Sequence, residues 1–195
     1  ILTTVICLLI CSIAGYGFEV YHDKGKDRLF SILLLAMMVP QVATMVPLFK
    51  MFSKAKLLNT SIGFILPIIS TPFMIMMFRQ NARAFPVDII EAARIDGANQ
   101  FQIYWKIFMP IMKPSLILVG VLNMLTVWND YLGPLIFLQD RSKYTLALGL
   151  ASFKGVHSTQ IIPMLCITII MIIPPIIIFI IAQKYIVEGT SGSIK

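Results

Sequence analysis

Long apolar runs alternate with short polar segments along this chain. Five runs carry almost no charge, and they cover 1–18, 29–49, 62–78, 115–138 and 161–182. A helix needs about 20 apolar residues to cross the hydrocarbon core of a bilayer. The pattern therefore predicts an all-α polytopic membrane protein, with about five transmembrane helices in one domain over 1–195.

Prolines interrupt several of these runs. We expect a kink at Pro40 and Pro47 in the second run, because proline removes a backbone donor from a helix. A second kink is expected at Pro174 and Pro175 in the last run. Gly133-Pro134 is expected to break the fourth run.

The connections between the runs are predicted to lie on alternate sides of the membrane. Residues 139–160 have few apolar positions and form one external connection. Residues 50–61 form the other, an amphipathic segment whose apolar positions recur at helical spacing: Met51, Phe52, Ala55 and Leu58. More basic residues lie on the opposite side than on this one, although the excess is modest, so the opposite side is predicted to be cytoplasmic.

Composition agrees with a membrane location. Of 195 residues, 58% are hydrophobic and 13% are charged, with a mean hydropathy of +0.87. A soluble domain of this size cannot bury that much apolar surface. The net charge of +7 lies in segments between apolar runs and is not interleaved with aromatics. We therefore expect a multi-pass protein of the cell membrane, with lipid as a partner and no nucleic acid.

The cysteines do not indicate metal or disulfide chemistry. Cys7, Cys11 and Cys166 all lie in apolar runs, and none has metal-ligand spacing to His22 or His157. Such cysteines are typical small core residues. We expect no metal site and no disulfide.

A polar segment over 84–110 is the main interruption of the apolar pattern. Pro86 is suited to a helix start, and Asp88 and Glu91 lie where the helix dipole favours anions. Gly97 is suited to a left-handed cap at the end of this helix. These residues predict one short helix of about ten residues.

A second short helix is predicted directly after the first. Asn99 and Gln102 have the spacing of a capping box, so the helix runs towards Lys106 until Pro110 breaks it.

The first of these helices has a face of small apolar residues. Ile89, Ala92 and Ala93 share that face at three-to-four spacing, and Glu91 can pair with Arg94 or with a cation on a partner. Such a face fits a groove on a second protein, whereas the alternative is that alanines are simply good helix formers in a loop.

Several motifs in this region resemble a known family. Glu91-Ala92-Ala93, then Gly97, Ile107 and Met109-Pro110, follow the spacing of the "EAA" loop of membrane subunits of binding-protein-dependent ABC importers, with Met109 in place of the usual leucine. Further motifs are similar to those of the carbohydrate-uptake group of this family. Of the two permeases in such an importer, they resemble the second permease of the maltose importer. These motifs are Ile95-Asp96-Gly97-Ala98, Lys113-Pro114, Trp128-Asn129-Asp130 and Pro134-Leu135.

The resemblance implies a type I importer permease bundle with a cytoplasmic coupling loop. It also implies four kinds of partner, namely a second homologous permease, two nucleotide-binding ATPase subunits, an extracytoplasmic sugar-binding protein and membrane lipid. The residues that it assigns to ATPase coupling are Glu91, Ala92, Ala93, Arg94, Asp96 and Gly97. The family pattern places one more helix upstream of Ile1, so an N-terminal part is expected to be missing.

This chain is not expected to hydrolyse ATP. It has no G-x-x-x-x-G-K-S/T loop, and the spacing in 189–195 does not match one. We expect ATP and Mg on partner subunits, and no cofactor on this chain. The C-terminal tail over 189–195 would fray if taken alone, but the resemblance places Ser191, Gly192 and Ser193 in the interface of the ATPase subunits.

Candidate sugar-path residues cluster near the end of the fourth run. A sugar needs amide or carboxylate partners beside aromatic surfaces, and these types are closest together at Asn123, Trp128, Asn129, Asp130 and Tyr131. Asn123 and Asp130 are about two helical turns apart and share one face. The alternative is that Asn129-Asp130 cap the helix, that the aromatics anchor it at the interface, and that the partner permease contacts the sugar.

Three other functions are weighed against sugar import. The same fold also imports other solutes, such as polyamines or phosphorylated polyols. A channel or ion-coupled transporter is expected to show carboxylates in mid-span, and only Asp130 comes close. An intramembrane enzyme needs a metal signature or a nucleophile with its base, and the sequence has neither.

Overall fold

The computed structural model describes residues 1–21, 23–83, 85–153 and 161–191, and within them every regular element is helical. In chain order, the α-helices are α1 Leu2–Val20, α2 Lys24–Ala36, α3 Gln41–Lys54, α4 Ser61–Ile65, α5 Pro72–Ala82, α6 Val87–Ile95, α7 Gln100–Gln102, α8 Met109–Ile111, α9 Lys113–Trp128, α10 Leu132–Phe137, α11 Leu146–Ser152 and α12 Ile161–Ser191. Two short 3₁₀ segments, Leu66–Ile68 and Arg141–Lys143, and one π-helical segment, Ile103–Phe108, complete them. The predicted all-α class is confirmed.

The spans are a mixture of straight and broken helices. α1 and the first 24 residues of α12 are each long and apolar enough to cross a membrane. Three further pairs of helices qualify together but are bent: α2 with α3 by 99°, Ser61–Ile68 with α5 by 47°, and Gln100–Ile111 with α9 by 78°. By length and composition, these pairs bring the described total to as many as five. The first two pairs cover the predicted second and third runs, whereas the third joins the polar segment over 84–110 to α9, ahead of the predicted run 115–138.

The second span is broken, which corrects the prediction of a kinked helix. α2 ends at Ala36, and Pro40 then takes an extended conformation with φ −60° and ψ 129° as the N-cap of α3. A proline lacks the N–H that a continuous helix would need at this point. Pro47, in contrast, lies inside α3.

Residues 50–61 do not form a separate amphipathic segment, because α3 continues to Lys54. Phe52 is buried, and its ring lies 5.2 Å from that of Phe137 in α10. Lys56 and Asn59 both have positive φ and turn the chain towards α4. The apolar positions that predicted a surface helix therefore belong to the span and its C-terminal turn.

The fourth span breaks earlier than predicted. α9 ends at Trp128, and Gly133 and Pro134 lie inside α10. The side chain of Asp130 accepts a hydrogen bond from the backbone N–H of Gly133 at 3.1 Å, which caps the start of α10. The break is set by this cap and by the end of α9 at Trp128, and Pro134 is accommodated near the start of a new helix.

α1 lies against both α5 and α9 and forms the centre of the described bundle. A Cβ on Gly15 would stand 2.5 Å from the Cβ of Phe78, so α1 and α5 pack closely there because residue 15 is glycine. The buried residues of this contact come from all three helices: Cys7, Cys11, Met74, Ile75, Phe78 and Val119. This core places the C-terminal ends of α1 and α5 beside the polar segment over 84–110.

Candidate functional site

The first short helix of the polar segment is α6, and it has the predicted start and end. Pro86 is its N-cap, and Asp88 lies in its first turn. Gly97 has a φ of +81°, and the N–H of Ala98 donates to the carbonyl of Ala93 at 2.9 Å. This six-to-one bond is the Schellman motif, which requires a left-handed residue where glycine is preferred. The predicted glycine cap is confirmed.

The second short helix starts as predicted but continues further. Asn99 and Gln102 form both hydrogen bonds of a capping box, at 2.8 and 2.9 Å. The chain then passes through the π-helical segment into α8, where Pro110 occupies the first turn. Helical winding is continuous over Gln100–Ile111, so Pro110 removes one backbone donor near its end. The helix ends at Ile111, one residue after Pro110, and the chain bends at Met112, so the predicted break is confirmed to within one residue.

The outer side of these helices is an exposed surface with both apolar and charged residues. Ile95 is 86% exposed and Phe101 is 71% exposed, which is unusual for large apolar side chains. We call this the coupling surface; its other exposed members are Ile89, Glu91, Ala92, Arg94, Asp96 and Trp105. Within the described residues, no ion pair joins Glu91 to Arg94.

Ala93 does not belong to the coupling surface. It is buried beside Ile90, on the face of α6 that contacts the rest of the chain. The prediction that Ile89, Ala92 and Ala93 form one partner-facing surface is therefore wrong for Ala93. Because its methyl group points inward, Ala93 supports α6 on the core, whereas Ile89 and Ala92 remain exposed.

An aromatic core lies beneath the coupling surface. Tyr16 of α1 contacts Phe108 with ring centroids 4.7 Å apart and Tyr104 at 5.3 Å. The hydroxyl of Tyr104 is 2.7 Å from the hydroxyl of Ser12 in a buried hydrogen bond. The sequence analysis missed this cluster, although Tyr104 and Phe108 have the i, i+4 spacing of a buried helix face.

Charged residues at the ends of three helices form a compact network beside this core. Arg79 of α5 binds Glu19 of α1 at 3.2 Å and Asp27 of α2 at 3.1 Å. Its guanidinium also lies 4.1 Å from the ring centroid of Phe30. Arg79 is 14% exposed and Glu19 is 18% exposed, so this pair is better shielded from water than a surface ion pair. The network fixes three helix ends near α6.

A cavity of about 480 Å³ lies along α1, α9 and α12, and its wall is almost entirely apolar. A second cavity, of about 420 Å³, is lined partly by polar groups and lies at the opposite ends of α5 and α9 from the coupling surface. We call the second one the polar cavity; its polar lining residues are Gln41, Ser70, Thr71, Asn123, Thr126 and Asp130. It lies where three helical breaks come together. Among the described residues that line it, none has a basic side chain.

Asn123 and Asp130 both line the polar cavity, as their shared helix face predicts. Asn123 is only 2% exposed, and its amide N–H donates to the sulfur of Cys7 at 3.3 Å. Its amide oxygen has no hydrogen-bond partner among the described residues. Gln41, Ser70, Thr71 and Thr126 complete the polar wall. Gln41 begins α3, and Ser70 and Thr71 lie in the break before α5, so spacing along α9 alone does not bring them to this site.

Trp128 has a structural partner in α12. Its indole N–H donates to the backbone carbonyl of Met171 at 3.1 Å. In a regular helix that carbonyl would accept from the N–H of residue 175, which is a proline without an N–H. The indole therefore satisfies a carbonyl that Pro175 leaves free, and α12 continues through its two prolines to Ser191.

The remaining predicted residues lie apart from the polar cavity. The side chain of Asn129 donates to the carbonyl of Leu125 at 2.9 Å, at the end of α9. Tyr131 is exposed between α9 and α10. The backbone of Ser191 ends α12, whereas Gly192 and Ser193 lie outside the described residues.

A helical bundle with broken spans, a polar cavity at one end and an exposed coupling surface at the other defines a membrane transport subunit. Residues 4–192 match the family described as binding-protein-dependent transport system inner membrane component. The chain belongs to this family. It is a multi-pass component of the inner membrane that works with substrate-binding and ATPase partners, and it is not itself an enzyme.

Individual relatives agree with this assignment. The chain is 38% identical to the lactose transport system permease of Rhizobium radiobacter over 98% of its own length and 70% of the relative. It is also 38% identical to the arabinooligosaccharides permease of Bacillus subtilis, over 99% and 69%. The melibiose, raffinose and stachyose import permease of the same species is 29% identical, over 99% and 71%.

Solved structures share the fold. A bacterial ABC transporter that imports the acidic polysaccharide alginate superposes with a TM-score of 0.80 and 25% identity, covering 93% of this chain and 69% of the other. An inward-facing MetNI methionine transporter gives 0.72 at 16% identity, covering 96% and 89%. The expected importer permease fold is confirmed.

Proposed function

We propose that this chain forms part of the path for a sugar or oligosaccharide in an ATP-driven importer. A second homologous permease completes the path, and an extracytoplasmic sugar-binding protein delivers the solute. Sugar is favoured as the solute because the relatives are named for lactose, arabino-oligosaccharides and raffinose-type sugars.

Docking of the ATPase on the coupling surface is the central step of this proposal. The observation that carries it is that the inner face of α6 is buried, whereas Ile95 of α6 and Phe101 of α7 are exposed. Apolar anchors surrounded by charges are typical of protein interfaces, and Glu91, Arg94 and Asp96 supply those charges. Ala92 allows a partner backbone to approach, and Gly97 sets the direction of the chain after α6.

The polar cavity is proposed to bind the sugar during its passage. The carboxylate of Asp130 is a hydrogen-bond acceptor that suits sugar hydroxyls. Asn123 has a buried amide oxygen without a partner among the described residues, and a movement of the cavity wall would present this acceptor to the sugar. Since none of the described residues that line this cavity is basic, they do not favour a phosphorylated polyol. Trp128 and Asn129 are proposed to support the path by holding helix ends, and Tyr131, which is exposed between α9 and α10, is proposed to contact the solute outside the polar cavity.

Two subunits that bind ATP and Mg are proposed as the source of energy. They would contact this chain at the coupling surface and at the C-terminal tail. The small residues Ser191, Gly192 and Ser193 suit a narrow cleft between two ATPase subunits.

The proposal is tested by assembling the chain with its partners in proteoliposomes and measuring sugar uptake. Glu91→Ala should abolish uptake and lower ATPase binding, while the amount of inserted chain stays unchanged. Asp140→Asn is the matched control, because it removes one carboxylate on the other side of the membrane and keeps an oxygen for its cap. Wild-type uptake by Glu91→Ala would refute docking on this surface.

A further inference from the structure

The coupling surface and the polar cavity are connected through a single helix. We propose that α1 carries movement from one to the other, and that Tyr104 is the residue that positions α1 for this role. The inference rests on the proposed function, because it assumes that the ATPase docks on the coupling surface and that sugar passes the polar cavity.

The first contact joins the segment under the coupling surface to α1. Ser12 is fully buried, and its hydroxyl donates to the carbonyl of Leu9 at 3.1 Å. A serine hydroxyl has only one hydrogen, so in the 2.7 Å bond the hydroxyl of Tyr104 donates to the oxygen of Ser12. This bond ties two residues that are 92 positions apart in sequence.

The second contact joins α1 to the polar cavity. The sulfur of Cys7 accepts from the amide of Asn123 at 3.3 Å. Asn123 belongs to the cavity wall, and its amide oxygen is buried without a partner among the described residues. A shift of Cys7 along the helix axis would therefore move or rotate an acceptor in the cavity wall. Cys7 and Ser12 are five residues apart, about 7.5 Å along a helix.

α1 packs closely on both of its neighbours. Gly15 allows close contact with Phe78 of α5, and Leu8 lies against Gly120 of α9, where an added Cβ would stand 3.1 Å from it. Close packing transmits a displacement because the interior has little free volume.

Tyr104 lies in the π-helical segment, and a change in the winding of this segment is the movement proposed to reach α1. A π-helix has hydrogen bonds between residues i and i+5, one residue further apart than in an α-helix, and such segments are rare and often functional. Conversion of Ile103–Phe108 to α-helical winding would rotate Tyr104 relative to Ser12. Movement of the coupling surface is thus linked to α1 through a hydrogen bond whose geometry depends on this winding.

The test measures sugar transported per ATP hydrolysed in the assembled complex, at equal amounts of complex in the membrane. Tyr104→Phe keeps the ring and removes the hydroxyl, and it should lower this ratio by about fivefold, the effect of one buried hydrogen bond. Ser12→Ala should lower the ratio by a similar factor, and the double variant should show no further loss. Cys7→Ala removes the contact between α1 and Asn123, and it should also lower the ratio of sugar transported to ATP hydrolysed.

Tyr144→Phe is the control, since Tyr144 lies beyond α10, away from both contacts, and its ratio should equal that of the wild type. A wild-type ratio in Tyr104→Phe, or fully additive losses in the double variant, would overturn the inference while leaving the proposed function intact. A wild-type complex that hydrolyses ATP on docking but moves no sugar would instead overturn the proposed function, and the inference with it.

Discussion

The hydrogen bond between Trp128 and Met171 predicts that the free energy of unfolding depends on this contact between α9 and α12. Trp128→Phe removes the indole N–H and leaves the carbonyl of Met171 without its donor, since Pro175 has none. A buried carbonyl that loses its partner costs about 1–3 kcal/mol, and hydrogen bonds between membrane helices average somewhat less. We expect a loss of about 1–2 kcal/mol in the free energy of unfolding.

The assay is a denaturant titration of the chain in mixed micelles, carried out in two backgrounds. Pro175→Ala restores an N–H that can bond to Met171, so Trp128→Phe should cost less in that background. The loss of indole packing is common to both backgrounds and cancels in the comparison. An equal cost in both would refute the reasoning, because the carbonyl would then not depend on the indole.

Three further predictions follow from close contacts and backbone geometry. Gly15→Ala should destabilise the bundle by about 1–3 kcal/mol, since its Cβ would clash with Phe78, and a normal unfolding curve would contradict the packing. Gly97→Pro should lose transport with insertion intact, because proline cannot adopt a φ of +81°; uptake at the wild-type rate would exclude a role for this cap. Asn123→Ala and Asp130→Asn should change the apparent sugar affinity of the assembled importer, whereas residues with only structural roles would lower the amount of complex and leave that affinity unchanged.

The sequence contained enough to predict the spans and the start of each short helix. Asn99 with Gln102, and Gly97 after α6, are local signals, because caps depend on residues within a turn of each other. The break positions were harder to predict. Pro134 suggested a break at its own position, whereas the break lies at 129–131, where the Asp130 side chain caps α10.

The contacts between distant segments were not accessible from spacing. Ser12 with Tyr104 and Cys7 with Asn123 are separated by 92 and 116 positions, and nothing local indicates either pair. Likewise, Ala93 has the spacing of a partner-facing residue, but which side of α6 is buried depends on α1 and the chain around Phe108. Periodicity identifies a face, and only the tertiary arrangement determines what that face contacts.

The charge network around Arg79 also imposes an order on biogenesis. Glu19 and Asp27 are synthesised 60 and 52 residues before the arginine that binds them both. Until α5 is synthesised, Glu19 and Asp27 lack the guanidinium that binds them both in the folded chain. A nascent chain that stalls between α3 and α5 would expose those two carboxylates, so insertion of α5 is the step after which the first three spans become a stable unit.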